Sequence, residues 1–184
     1  MIRSFIALEL PAELKTELIE VINRYRSRTG EGINWVKPEN LHLTLLFIGD
    51  VQPELMPDIN KAIQELLIGF PAFRFRAMGL ELFPAREPRM LWLKLETEND
   101  DVFKLQRRIL HSIHSLGIEP DRKPLRLHVT LARLKTALNN ELARELMQTE
   151  INKHSQTYES ICLFRSVLSP SGPSYSVIEQ YNLK

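Results

Sequence analysis

His42-Leu43-Thr44-Leu45 and His128-Val129-Thr130-Leu131 are two copies of one pattern: His, apolar, Thr, Leu. In an extended strand the side chains alternate between faces, so a His and a Thr two positions apart share one face. Leu43 and Leu45, or Val129 and Leu131, then point the other way, into a core. Each copy therefore presents an imidazole and a hydroxyl on a strand anchored from behind. Two such strands facing one another would hold one phosphate between two histidines and two threonines. A single His-x-Thr carries little weight, because a lone strand histidine is most often structural. Two copies in matching contexts, at positions 42 and 128 of 184, point instead to a duplication.

The order around the motifs supports it. Residues 4–10 read as a buried strand stopped by Pro11, and Leu14, Leu18, Ile19 and Ile22 stripe a helix over about 12–26. Trp35-Val36 is extended, and the first motif strand covers 41–48, closed by Gly49-Asp50. A helix carrying Leu55, Ile59, Ile63, Leu66 and Leu67 ends at Gly69. A strand follows in which Phe73 and Phe75 alternate with Arg74 and Arg76. The proline-broken stretch 83–89 reads as a linker, and then the order restarts. A strand covers 90–95, and a helix striped by Ile109, Leu110 and Ile113 ends at Gly117. The second motif strand covers 125–134, and Asn139 or Asn140 starts a helix with Leu142 and Leu146. A strand at 158–168, the turn Ser169-Pro170-Ser171-Gly172-Pro173 and a last strand at 175–181 complete the chain.

Both halves, about 1–83 and 90–184, thus read strand, helix, motif strand, helix, strand within a single domain of two packed lobes. Phe5 to His42 is 37 residues and Trp92 to His128 is 36; His42 to Phe73 is 31 and His128 to Tyr158 is 30. Units related by a pseudo-twofold would bring the two motifs face to face across a cleft.

Composition narrows the function classes. Hydrophobic residues make up 43% and charged residues 26% of the chain, as in ordinary globular proteins, and the formal net charge is +1. No global field draws in nucleic acid or membrane, so any polyanion site must be a local basic patch. No stretch approaches the roughly 20 apolar residues needed to span a bilayer, and no leader is read at the start, so a cytoplasmic protein without membrane association is expected. The single Cys162 excludes an internal disulfide framework and a cysteine-based zinc site, and reads as a buried apolar residue.

The chemistry follows from the paired histidines. An unperturbed imidazole titrates near 6.5, so one can act as general base while the other acts as general acid, which is what phosphodiester cleavage needs. Thr44 and Thr130 can donate to non-bridging phosphate oxygens. With no carboxylate or cysteine cluster in the motifs, no metal and no cofactor are expected. Arg122, Lys123, Arg126, Arg133 and Lys135 flank the second motif. By strand parity Arg126 shares the face of His128, whereas Arg133 falls on the opposite face unless the strand bulges. Parity therefore favours Arg126 as the phosphate ligand, and puts Phe47 in the core.

The two tetrapeptides resemble the paired HxTx signatures of the two-histidine phosphoesterase superfamily. The run Trp35-Val36-x-Pro38-Glu39-Asn40-Leu41-His42-Leu43-Thr44-Leu45-x-Phe47-x-Gly49 is similar to its bacterial and archaeal RNA 2′,3′-cyclic phosphodiesterase branch, also called 2′-5′ RNA ligase. Phe5-x-Ala7-Leu8-x-Leu10-Pro11, His128-Val129-Thr130-Leu131-Ala132-Arg133 and Leu168-Ser169-Pro170-x-Gly172-Pro173-x-Tyr175 extend the resemblance over the whole chain. It implies a bilobal α+β fold with an antiparallel sheet in each lobe around a central cleft. It implies hydrolysis of 2′,3′-cyclic phosphate RNA ends, on oligonucleotides or tRNA-like fragments, to a 2′-phosphate, with 2′-5′ ligation as the reverse reaction. It assigns His42 as proton donor and His128 as proton acceptor, and it favours Arg133 over Arg126. Leu125-Arg126-Leu127 departs from the aromatic and proline that members often carry there.

Other residues read as structural: His111 and His114 as helix surface, His154 as solvent-exposed, Trp35 and Trp92 as core or cleft wall. A monomer is expected. Two rival readings are a non-catalytic RNA-end binding protein and a phosphodiesterase for a small cyclic or 2′,5′-linked nucleotide. Turnover separates the first from an enzyme.

Overall fold

The computed structural model describes residues 1–170 and 172–184; Ser171, within the expected turn, lies outside the described residues. The elements run β1 (Ile2–Glu9), α1 (Ala12–Arg26), β2 (Ile33–Trp35), β3 (His42–Val51), α2 (Met56–Leu67), β4 (Phe73–Phe83), β5 (Met90–Thr97), α3 (Asp101–Ser115), β6 (His128–Leu134), α4 (Asn140–Met147), β7 (Gln156–Tyr158), β8 (Ser160–Ser169) and β9 (Gly172–Asn182). They build two antiparallel sheets, ordered β3-β1-β8-β9 and β2-β6-β5-β4-β7. This is the α+β architecture expected, with each motif strand beside the first strand of its own half.

The last strand of each half crosses over. β4 pairs with β5, and β8 pairs with β1, so both sheets draw strands from both halves. The proline-broken stretch at 84–89 is therefore a hairpin loop, not a linker: Phe83 and Met90 are register partners, and the Arg89 N–H donates to the Phe83 carbonyl at 2.8 Å. The second motif strand starts at His128 rather than at 125; the stretch before it is irregular, although the Leu95 N–H still reaches the Leu127 carbonyl at 2.9 Å.

The helices bury their apolar stripes away from the cleft. α1 buries Leu14, Leu18, Val21, Ile22 and Tyr25, whose hydroxyl bonds Thr149 Oγ1 at 2.8 Å. α2 packs against α3, and Asn139 caps α4 by accepting the Leu142 N–H at 2.7 Å. Leu43 and Val129, the apolar residues inside the motifs, are fully buried. Each is the anchor behind its polar face, and truncating Leu43 to Ala would cost on the order of 2–5 kcal/mol. Among the described residues no helix is long and apolar enough to cross a membrane.

Candidate active site

Both motif strands carry the same irregularity. Along β3, Ala7 of β1 is opposite Thr44 but Ile6 is opposite Leu46, so Leu45 is an extra residue. Along β6, Trp92 of β5 is opposite Thr130 but Leu91 is opposite Ala132, so Leu131 is extra. Each bulge shifts the alternation by one. Leu45-Leu46 and Leu131-Ala132 are consecutive buried pairs, after which Phe47 and Arg133 emerge on the face of the histidines. Phe47 is 48% exposed and lines the cleft, which corrects the core placement that unbroken parity implies. The same shift brings Arg133 onto the cleft face. The signal was present in the sequence: two successive apolar residues after each His-x-Thr break a period of two.

His42, Thr44, His128, Thr130, Arg126 and Arg133 all line one cavity of about 950 Å³ between the sheets. A carbonyl can only accept, so each ring's Nδ1 carries the hydrogen. His42 Nδ1–H donates to the Asn40 carbonyl at 2.6 Å, and His128 Nδ1–H donates to the Arg126 carbonyl at 2.8 Å. The neutral Nε2 of each ring is thereby left as the basic atom. On His42 it accepts from the Thr44 hydroxyl at 2.9 Å.

The rings rest on aromatic supports. Phe5 lies under His42 with centroids 5.0 Å apart, and Tyr175 meets it edge-on at 5.3 Å. Trp92, 5% exposed, lies 4.3 Å from His128 and stacks on Phe83 at 4.1 Å. Burial lowers the His42 imidazole to about 4; the Asn40 carbonyl opposes this, while the nearby His128 and Arg133 push the same way. His128 is also held below its ordinary value by burial, against the Arg126 carbonyl, with the Arg126 and Arg133 guanidiniums adding to the shift. Both rings are neutral in the free protein at neutral pH.

The two arginines are used differently. The Arg126 guanidinium sits 4.9 Å over the Phe83 ring, whereas Arg133 makes only a weak contact, Nη1 to Met90 Sδ at 3.9 Å, and has no carboxylate partner among the described residues. Of the remaining cleft groups, Asp121 is taken by Lys123 at 2.9 Å. No cluster of three or more His, Cys, Asp or Glu with metal-binding geometry occurs among the described residues.

Comparison with known proteins places this geometry. The model of the LigT-like phosphoesterases matches residues 8–92 and 93–175. The chain belongs to the LigT-like phosphoesterase family. A relative from Thermus thermophilus, named RNA 2′,3′-cyclic phosphodiesterase, is 34% identical over 99% of this chain and 90% of its own. One of the same name from Methanothermobacter thermautotrophicus is 31% identical over 99% of both chains. A crystal structure of a Thermus thermophilus protein superposes with a TM-score of 0.83 at 31% identity, covering 98% of this chain and 97% of the other.

Within this LigT-like frame one residue escaped the reading of the sequence as a site component. Asn40, 6% exposed, offers its carbonyl to His42 while its Nδ2 donates to the Pro173 carbonyl at 2.8 Å. It ties the β8–β9 hairpin, and with it Tyr175, to the first motif. His111, His114 and His154 are exposed and distant from the cleft lining, and Cys162 is buried.

Proposed function

We propose that the protein is an RNA 2′,3′-cyclic phosphodiesterase, hydrolysing a cyclic phosphate end to a 2′-phosphomonoester and a free 3′-hydroxyl without a metal. The observation that carries this is the pair of imidazoles on facing strands of one cleft, each with Nδ1–H held by the carbonyl two residues earlier. The names of the relatives support the substrate class.

His128 Nε2 takes a proton from water as its oxygen attacks phosphorus. The P–O3′ bond breaks, and O3′ receives the Nε2 proton of His42. His42 must therefore be an imidazolium in the complex. The anionic cyclic phosphate supplies the counter-charge that raises its proton affinity from the low value of the free protein. Thr44 and Thr130 donate to non-bridging oxygens, and Arg133 meets the developing charge with a charge-assisted contact. Arg126, seated on Phe83, acts more weakly from the flank. Phe47 faces the cleft as a flat apolar surface on which a base can stack. Run backwards, with a 5′-hydroxyl in place of water, the same groups form a 2′-5′ bond.

The test is incubation of an oligonucleotide ending in a 2′,3′-cyclic phosphate with the protein and EDTA, followed by identification of the end formed. A 2′-phosphate is expected. A 3′-phosphate, or turnover abolished by EDTA and restored by one divalent ion, would overturn the mechanism.

A further inference from the structure

Beyond the shared bulge, the two motif strands carry opposite chemistry. On the cleft face β3 runs His42, Thr44 and Phe47, while β6 runs His128, Thr130, Arg133 and then Lys135. Lys135 directly follows β6. Its backbone N–H donates to the Gly32 carbonyl at 2.8 Å, so the ladder with β2 extends to it, and the sequence Arg133, Leu134, Lys135 alternates exposed, buried, exposed. Gly32 is required there, because a Cβ on it would collide with the Thr136 side chain. Across the ladder Asn34 is the register partner of Arg133, whereas Lys37 lines the cavity farther along, past Val36, whose N–H donates to the Leu131 carbonyl at 2.8 Å.

Charge in the cleft exceeds what one cyclic phosphate needs. Its lining holds five cations, Lys37, Lys123, Arg126, Arg133 and Lys135, against the single carboxylate Asp121, in a chain of formal net charge +1. Lys123 is neutralised by Asp121 and Arg126 is engaged by Phe83. Arg133 suffices for the single negative charge of a cyclic phosphate. Lys37 and Lys135 have no carboxylate within ion-pair distance among the described residues. Lys135 lies two residues beyond Arg133, about 6.6 Å along a strand, which is the scale of one phosphate step in an extended nucleotide chain.

We propose that Lys135, beside Asn34, is a second phosphate subsite that takes the phosphodiester on the 5′ side of the terminal nucleotide. That phosphate is what distinguishes an RNA end from a free nucleoside cyclic phosphate, so the β2–β6 flank selects a chain over a mononucleotide. The proposal rests on the phosphodiesterase reading above.

Three substrates test it: adenosine 2′,3′-cyclic phosphate, and the diadenosine substrate ending in the same group with either a natural or a neutral methylphosphonate linkage. The natural dinucleotide is expected to exceed the methylphosphonate in kcat/KM by about five- to tenfold. Lys135→Ala abolishes that difference, reduces the salt dependence for the natural dinucleotide, and leaves the mononucleotide within about twofold of wild type. Wild-type indifference to the linkage charge, or a Lys135→Ala loss equal on all three substrates, would overturn the subsite. Absence of turnover on all three sinks the phosphodiesterase reading instead. Titration with the natural and methylphosphonate dinucleotides then reads the subsite directly, and equal affinities would overturn it.

Discussion

β3 and β6 share a backbone and differ in what they display. Both place a histidine, a threonine two residues on, a bulge, and a fifth residue returned to the cleft face. At that position β3 offers Phe47 and β6 offers Arg133. The difference recurs two residues before each histidine, where Asn40 is buried and fastened to the β8–β9 hairpin while Arg126 covers Phe83. It recurs beneath the rings, in Phe5 and Trp92. The two strands keep the same placement of histidine and threonine and differ in what they offer the cleft: an apolar wall on one, cations on the other.

The shared part is broken most severely. His42→Ala and His128→Ala should each lower kcat by at least ~10²-fold, the range for lost acid–base catalysis. Folding should be retained, since both rings lie at the cleft and the anchors Leu43 and Val129 are untouched. Single-turnover rates beside thermal unfolding check this. A histidine variant with near-normal turnover would remove that residue from its assigned role.

The divided part should show unequal losses. Arg133→Ala is expected to cost about 10- to 100-fold in kcat/KM, as loss of a charge-assisted contact does. Phe47→Ala should cost about tenfold, within the range of a lost base–aromatic stack, and chiefly through KM. Arg126→Ala should cost less than either, because its guanidinium is already engaged by a ring. An Arg126 variant more damaged than the Arg133 variant would reverse the assignment and show that the bulge misleads.

The part the two strands share was legible in the chain. The paired His-x-Thr, the strand-helix order of each half and a helix start at Asn139 or Asn140 follow from local periodicity and capping chemistry, and the structure agrees, with Asn139 as the cap. The swap of β4 and β8 between sheets was not legible, because periodicity within a strand says nothing about its partner. Phe47 and Arg133 were misplaced by parity for a related reason. A bulge is set by pairing with β1 and β5, and its trace in sequence is only the apolar doublets Leu45-Leu46 and Leu131-Ala132. Asn40 carries no pattern of its own, since its bond to Pro173 spans 133 residues.

A weaker perturbation tests whether the threonines are equivalent. Thr44→Val and Thr130→Val should each weaken phosphate binding by several-fold, the loss of one neutral hydrogen bond. Inhibition by the 2′-phosphate product measures it. Thr44 also donates to His42 Nε2, whereas among the described residues Thr130 makes no side-chain bond to His128. That bond must be given up when His42 is protonated and Thr44 turns its one hydrogen to the phosphate, so Thr44→Val is expected to cost less in kcat/KM than Thr130→Val, and equal effects would show that breaking it carries no cost.

The subtlest difference is in pH dependence. The kcat/KM profile reports the free protein, in which burial holds His42 at about 4 and keeps His128 below its ordinary value. One ring must be charged and the other neutral, so the profile is a bell on the acid side of about 6.5, and its limbs belong to the coupled pair. A bound phosphate anion favours both imidazoliums, so the limbs of kcat should lie at higher pH than those of kcat/KM. The Arg133 guanidinium lowers both rings through its charge. Removing it in Arg133→Ala should move both limbs of kcat/KM upward, on top of the loss in amplitude. Phe47 occupies the matching place on the other strand and carries no charge, so Phe47→Ala should lower the amplitude and leave the limbs where they are. Profiles of the two variants measured over about pH 3–8 at constant ionic strength separate these outcomes. Superposition of the Arg133→Ala limbs on those of wild type would mean that this cation does not reach the two rings, and that the strands differ in shape and contact but not in field.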